Sequence, residues 1–101
     1  LARMKVNYEI SKLLLYRAAW MKDQGMPAPL EASMYKAFTG KACMESAIDG
    51  MQIHGGYGLM REYKIERSLR DAKLAAVGAG TDQVLNEIIA RTVTGTRSLT
   101  L

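Results

Sequence analysis

Two glycine-interrupted segments are the places where this sequence could do chemistry. The first is Gln52-Ile53-His54-Gly55-Gly56-Tyr57-Gly58. Ending a helix takes one glycine; three within four positions suggest a backbone that comes close to a ligand or another chain. A helix C-cap followed by a tight turn accounts for the same residues, and the sequence leaves both readings standing. The second segment is Gly78-Ala79-Gly80-Thr81-Asp82-Gln83. Glycines leading into a helix N-terminus leave backbone N–H groups free beside the positive end of the helix dipole. Such a start suits anions and polarised carbonyl or phosphate oxygens, and Thr81 and Gln83 add hydrogen-bonding side chains. A capped turn between two helices is the alternative. Neither segment is a nucleotide fingerprint: no Gly-Lys-Ser/Thr follows Gly80, and no strand is expected before Gly55.

Other candidates carry less. His54 sits at a helix end with no carboxylate at helical spacing, which fits a structural or ligand-facing histidine better than a general base. Cys43, between Ala42 and Met44, reads as a small buried or half-buried residue. Cys43 and His54, each the single residue of its kind, cannot make a zinc site alone. Arg61, Glu66, Arg67, Arg70 and Asp71 are spaced for ion pairs within or between helices.

The elements that must position these residues are all helical. Over about residues 2–24, Val6, Ile10, Leu13/Leu14 and Met21 recur at helical period, with Leu15 and Trp20 widening the stripe. Gly25 and Pro27 stop that helix. A second helix should start near Pro29 or Leu30, with Glu31 in its first turn. Its stripe is Leu30, Met34, Ala37/Phe38, Met44, Ile48 and Met51, and it should run to about His54. Ala32, Ala37, Ala42 and Ala47 favour helix and permit close helix–helix approach. A third helix is expected from about Glu62 to Ala75, with Ile65, Leu69, Ala72 and Ala76 on one face. Thr81 then reads as an N-cap for a fourth, carrying Val84, Leu85, Ile88 and Ile89 and ending near Arg91 to Val93. The tail from about residue 94 should fray. The expected fold is an all-α, up-and-down bundle: a long antiparallel hairpin with two shorter helices packed across it.

Composition narrows the function classes. A chain of 101 residues, 49% hydrophobic and 24% charged, is one domain with room for one core. It is too apolar for disorder and has no long uncharged run to span a bilayer. The lone cysteine excludes an internal disulfide framework and suits a reducing compartment. The net charge of +4 is spread along the chain beside acidic residues, as in Arg61-Glu62 and Arg70-Asp71. That is the pattern of solvated helix faces rather than a nucleic-acid stripe. The chain opens on Leu1 in mid-pattern, as a piece of something longer would.

The two glycine segments, in this order and at this separation, resemble the C-terminal α-helical domain of the acyl-CoA dehydrogenase family. The likeness covers roughly residues 5–93. It begins at YRAAW (Tyr16 to Trp20), continues through ASMYKAFTGKACMESAIDGMQIHGGYG and REYKIERSLRDAKL, and closes on GAGTDQVLNEIIAR. On this resemblance the chain is a partial C-terminal helical domain, lacking its first helix. Family members use FAD to oxidise an acyl-CoA thioester to the 2,3-enoyl-CoA, and pass electrons to an electron-transfer flavoprotein. They usually form homotetramers with these helical domains at the centre.

The resemblance implies that Gln52, Ile53, His54, Gly55 and Gly56 reach the FAD of a neighbouring subunit. It implies that Thr81, Asp82 and Gln83 contact FAD in their own subunit, with Thr81 and Gln83 the better placed. Ala79 and Gly80 would lie beside the acyl-CoA thioester. In many members a catalytic glutamate immediately precedes the Gly-Thr pair; here that residue is Ala79, which cannot accept a proton. The sequence GAGT is similar to the isovaleryl-type members, which supply the glutamate from an earlier helix. The resemblance thus places the base upstream of this chain and makes the chain alone inactive. Two alternatives remain: an enoyl-CoA reductase of the same fold, and a non-enzymatic helical module that self-associates. The implied location is cytoplasmic in a prokaryote and the mitochondrial matrix in a eukaryote.

Overall fold

The computed structural model describes residues 1–96, and those residues are helical nearly throughout. Helix α1 runs Ala2–Asp23, α2 Pro29–His54, α3 Ile65–Val77 and α4 Asp82–Thr94. Two short 3-10 turns, Gly55–Leu59 and Arg61–Tyr63, join α2 to α3. The expectation for the tail falls mostly on residues 97–101, outside the described residues; α4 ends at Gly95, left-handed at φ 69°. No described helix is long and apolar enough to cross a membrane.

Local sequence explains the boundaries. Gly25 takes φ 74° and ends α1. Pro29 opens α2, where its missing N–H costs nothing, and Glu31 occupies the first turn. Helix α3 begins three residues later than the pattern suggested. Arg61–Tyr63 winds as a 3-10 turn, and Lys64 then turns left-handed at φ 61°, which breaks any helix started at Glu62. Thr81 caps α4 as expected: its hydroxyl accepts from the Val84 N–H at 3.4 Å.

Helix α2 is the centre; α1, α3 and α4 all pack on it. The seam is made of small residues. Ala37, Gly40, Ala42, Ala47 and Gly50 are buried along α2. A Cβ at Gly40 would sit 3.3 Å from Ala76 Cα, and one at Gly50 would sit 2.9 Å from Ile65 Cδ1. Those two contacts also set direction: α3 runs antiparallel to α2, its start beside Gly50 and its end beside Gly40. Ala32, by contrast, faces outward.

The apolar stripe expected on α1 splits: Leu14 and Met21 are half-buried, whereas Val6, Ile10 and Leu13 are exposed. The half-buried positions of α1 are Met4, Asn7, Glu9, Ser11, Lys12, Leu14, Ala18 and Met21. Val6, Ile10, Leu13 and Trp20 form a second stripe on another face, and Leu13 is 68% and Trp20 58% exposed. Leu15 and, on α2, Ile48 are exposed as well. Cys43 too is exposed rather than buried. The reason is the slab-like shape: the molecule measures 49 × 32 × 19 Å with a radius of gyration of 16.1 Å. A compact domain of this length would have a radius of about 13 Å. Among the described residues the buried apolar set is five alanines and Leu85, and no large side chain is fully buried.

One polar cluster ties the start of α1 to the later part of α2. Arg3 pairs with Glu45 at 2.8 Å, and its Nε donates to Asp49 at 2.9 Å. The hydrogen bonds from Arg3 hold the Asp49 carboxyl below the usual carboxylate range, and the same partners push the Arg3 guanidinium upward. A lowered carboxyl contributes stability above its unfolded pKa and loses it as pH falls through the folded value. In Arg3→Ala, the helical circular-dichroism signal at fixed urea should therefore depend less on pH below about pH 4 than in the parent chain. Identical acid profiles would remove the cluster from the stability of the fold.

Candidate functional site

The three glycines after α2 have three different jobs. Gly55 is left-handed at φ 62° and turns the chain at the helix end. Gly58 is buried on α2, where a Cβ would lie 2.7 Å from the Met51 carbonyl oxygen. Gly56 has neither reason: its φ is ordinary and nothing lies within 4 Å of its Cβ position. Internal packing therefore explains Gly55 and Gly58 and leaves Gly56 unexplained.

Gly56 opens onto a groove. Ile48, Met51 and Gln52 of α2, Gly55, Gly56 and Leu59 of the turn, and Leu69 of α3 line a space of 520 Å³. Its apolar walls and single carboxamide would accept a flat or aliphatic ligand with one polar edge. The apolar members (Ile48, Met51, Leu59 and Leu69) were not legible as site residues, because each also reads as core. Tyr57 and Tyr63 brace the turn, with ring centroids 5.2 Å apart and planes tilted by 50°.

The first segment does not act as a unit. Gln52, Gly55 and Gly56 meet in the groove, whereas Ile53 and His54 do not line it; Ile53 is 59% exposed. His54 Nδ1 donates to the Gly50 carbonyl at 2.8 Å, four residues back on its own helix. That bond fixes the ring and leaves Nε2 as its open position; no carboxylate orients it as a base.

The second segment lies at the other end of α3, about 20 Å of helix away. Ala79 takes φ 59° and Gly80 φ 124°. The left-handed region costs an alanine roughly 1 kcal/mol, so the surroundings must hold it there. Gly80 packs on Leu85, whose Cδ2 would be 3.4 Å from its Cβ. The Thr81 hydroxyl takes the Val84 N–H and the Thr81 carbonyl takes the Leu85 N–H at 3.0 Å. The N–H groups of Asp82 and Gln83 stay unused by the helix, and the Thr81 O–H keeps its proton to donate. Gln83 is exposed, while Asp82 Oδ1 is buried without a partner. One oxygen of this carboxylate is therefore held out of solvent, and the donors at the helix start are neutral.

The two segments thus share no pocket, and no side chain in either holds a proton acceptor against the other. Among the described residues, no group of three or more histidine, cysteine, aspartate or glutamate side chains could hold a metal ion.

Comparison with known proteins identifies the family. Residues 1–94 match the acyl-CoA dehydrogenase, C-terminal domain, family profile. The chain is 43% identical over 90 residues to 3-(aryl)acrylate reductase of Clostridium sporogenes, covering 89% of this chain and 24% of that protein. It is 40% identical over 95 residues to an acyl-CoA dehydrogenase of Bacillus subtilis, covering 94% and 25%. The solved FAD complex of PigA superposes with a TM-score of 0.89 at 32% identity, covering 92% of this chain and 24% of that one. This chain belongs to the acyl-CoA dehydrogenase family and corresponds to its C-terminal helical domain. It spans about a quarter of the length of the relatives it matches.

The glycine assignments separate packing from ligand contact. Gly58→Ala should lower the urea midpoint by an amount equal to about 1–3 kcal/mol, since the new methyl meets backbone that cannot yield. Gly56→Ala should stay within about 0.5 kcal/mol. Equal losses at both positions would show that Gly56 is a packing residue.

Proposed function

We propose that this chain is the cofactor-contacting, oligomer-forming helical part of a flavin-dependent acyl-CoA dehydrogenase. The observation that carries the reading is Gly56: a glycine with open space and ordinary backbone, beside Gln52 in an outward-facing groove. Its lack of a side chain serves something outside the chain.

The residues present suit FAD. Around Gly56, the exposed glycine backbone and the Gln52 carboxamide are neutral polar groups that a diphosphate or adenosine can approach without repulsion. At the start of α4, the Asp82 and Gln83 N–H groups and the Thr81 hydroxyl donate from the positive end of a helix, with one oxygen of the Asp82 carboxylate held out of solvent. Gln52, Gly55 and Gly56 would hold one part of the cofactor, and Thr81 and Gln83 another. Ile53, His54 and Asp82 would support from behind: His54 through its bond to Gly50, Asp82 through the α4 dipole. The placement of the segments at opposite ends of α3, a helix about 20 Å long, supports a reading in which they serve different cofactor molecules, one in the same subunit and one in a neighbour. The uncovered stripe Val6, Ile10, Leu13 and Trp20 supports burial against other parts of the assembly.

When bound, FAD supplies the two-electron acceptor for oxidation of the acyl-CoA. This chain's part is to bind and orient. Ala79 and Gly80 offer backbone rather than side chain next to the thioester, and the missing side chain leaves room for a carboxylate entering from elsewhere or for a branched acyl group. The base that takes the α-proton therefore belongs to a residue outside this chain. Electrons would leave to an electron-transfer flavoprotein, from the cytoplasm of a prokaryote or the mitochondrial matrix of a eukaryote. A second reading, an enoyl-CoA reductase of the same fold, draws on the reductase among the relatives and uses the same contacts in the opposite direction.

The full-length protein should elute from gel filtration with a flavin absorbance band, and the 1–101 chain should elute without one. Flavin on neither would sink the reading. In the full-length protein, Gly56→Val should raise the FAD dissociation constant at least tenfold with the melting temperature within about 3 °C. Removing each upstream carboxylate in turn should abolish acyl-CoA oxidation at one position. Full activity in all of those variants would place the base in this chain after all.

A further inference from the structure

Helix α3 is closed from its own sequence by one backbone bond, the Gly78 N–H to the Leu74 carbonyl at 2.7 Å. Its last turn contains no basic residue, although the carbonyls there lack helical donors and carry the negative end of the dipole. The positive charge comes from α2 instead: Lys36 Nζ donates to the Ala75 carbonyl. One turn along the same face of α2, Gly40 lies against Ala76, with its Cβ position 3.3 Å from Ala76 Cα and 3.8 Å from the Ala75 carbonyl oxygen. Lys36 and Gly40 together hold residues 75 and 76, just before the strained Ala79 at φ 59°. The far side of the same loop is held by the Thr81 cap and by Gly80 against Leu85. A left-handed alanine persists only where both flanks are fixed.

We propose that Lys36 is a positioning residue: by tying the end of α3 to α2, it sets the backbone of Gly78–Thr81 that faces cofactor and thioester. The proposal rests on the reading of that segment given above. The sequence gives no sign of it, since Lys36 lies 43 positions from Ala79 and reads as one more solvated lysine. The geometry also separates its charge from its stem: a methionine keeps the aliphatic packing and loses only the donor.

The test uses the full-length protein with Lys36→Met and Lys36→Arg. Amide hydrogen exchange reports the end of α3, and flavin fluorescence reports release of FAD. Lys36→Met should speed exchange at the hydrogen-bonded amides of residues 76–78 at least tenfold, leave α1 and the first half of α2 within twofold, and speed FAD release at least fivefold. Lys36→Arg, which restores a cation and a donor, should bring both within twofold of the parent. Unchanged exchange at 76–78 overturns the clamp. Faster exchange spread over every helix overturns it too, since that is a general loss of stability. Faster exchange at 76–78 with unchanged FAD release overturns the positioning role. A parent protein that carries no flavin removes the functional reading alone, and exchange then still decides the clamp.

Discussion

The close approach of α2 and α3 at Gly40 is the constraint on which the rest of the structure depends. With no side chain there, the α3 backbone comes within contact distance of α2, and Ala76 fills the space a Cβ would take. That contact sets the end of α3 and hence the place where the chain turns through Gly78–Gly80 into α4. Gly50, ten residues on, does the same for the start of α3 against Ile65. The two glycines fix both ends of one helix, and both candidate segments hang from those ends. Burial scales with apolar area, at about 25 cal/mol per Å², so a seam of alanine and glycine gives geometric definition rather than much stabilisation.

That trade explains the exposed apolar surface. Among the described residues six small or medium ones make the buried apolar set, while Leu13, Trp20, Ile53, Leu59 and Leu74 stay largely in solvent. A slab 19 Å thin has two broad faces and little interior. Exchanging thickness for surface is costly in a chain that stands alone. It is reasonable in one layer of a larger body, and the chain covers about a quarter of its relatives' length. The same openness leaves the groove at Gly56 and the start of α4 accessible from outside.

Most of the fold was legible because its signals are local. Gly25 and Pro29 delimit helices through backbone geometry, and Thr81 caps α4 through its own hydroxyl. On α1, Val6, Ile10 and Leu13 have helical period and apolar chemistry, yet of the expected stripe only Leu14 and Met21 are half-buried, because periodicity marks apolar positions without saying which of them meet another helix. Cys43 is exposed although its residue type is most often buried, since type does not say which way a helix position faces. Glu62 failed to start α3 because Lys64 turns left-handed, which helix propensity does not report.

Within the candidate site, the sequence determined the kinds of group present: a glycine-rich turn after a long helix, a capped helix start after a second glycine pair, and an alanine at the position where the family resemblance implies a glutamate in many members. Those follow from residue identity, since only glycine opens a backbone so freely and alanine cannot take a proton. The tertiary structure decided which of them matter to one another. It sorted three adjacent glycines into a turn, a packing contact and an open position, and held one Asp82 oxygen out of solvent. It set the two segments a helix length apart, and brought Lys36 to the end of α3. Each of these depends on residues distant in sequence meeting across the α2 seam, and that information exists only once the helices have packed.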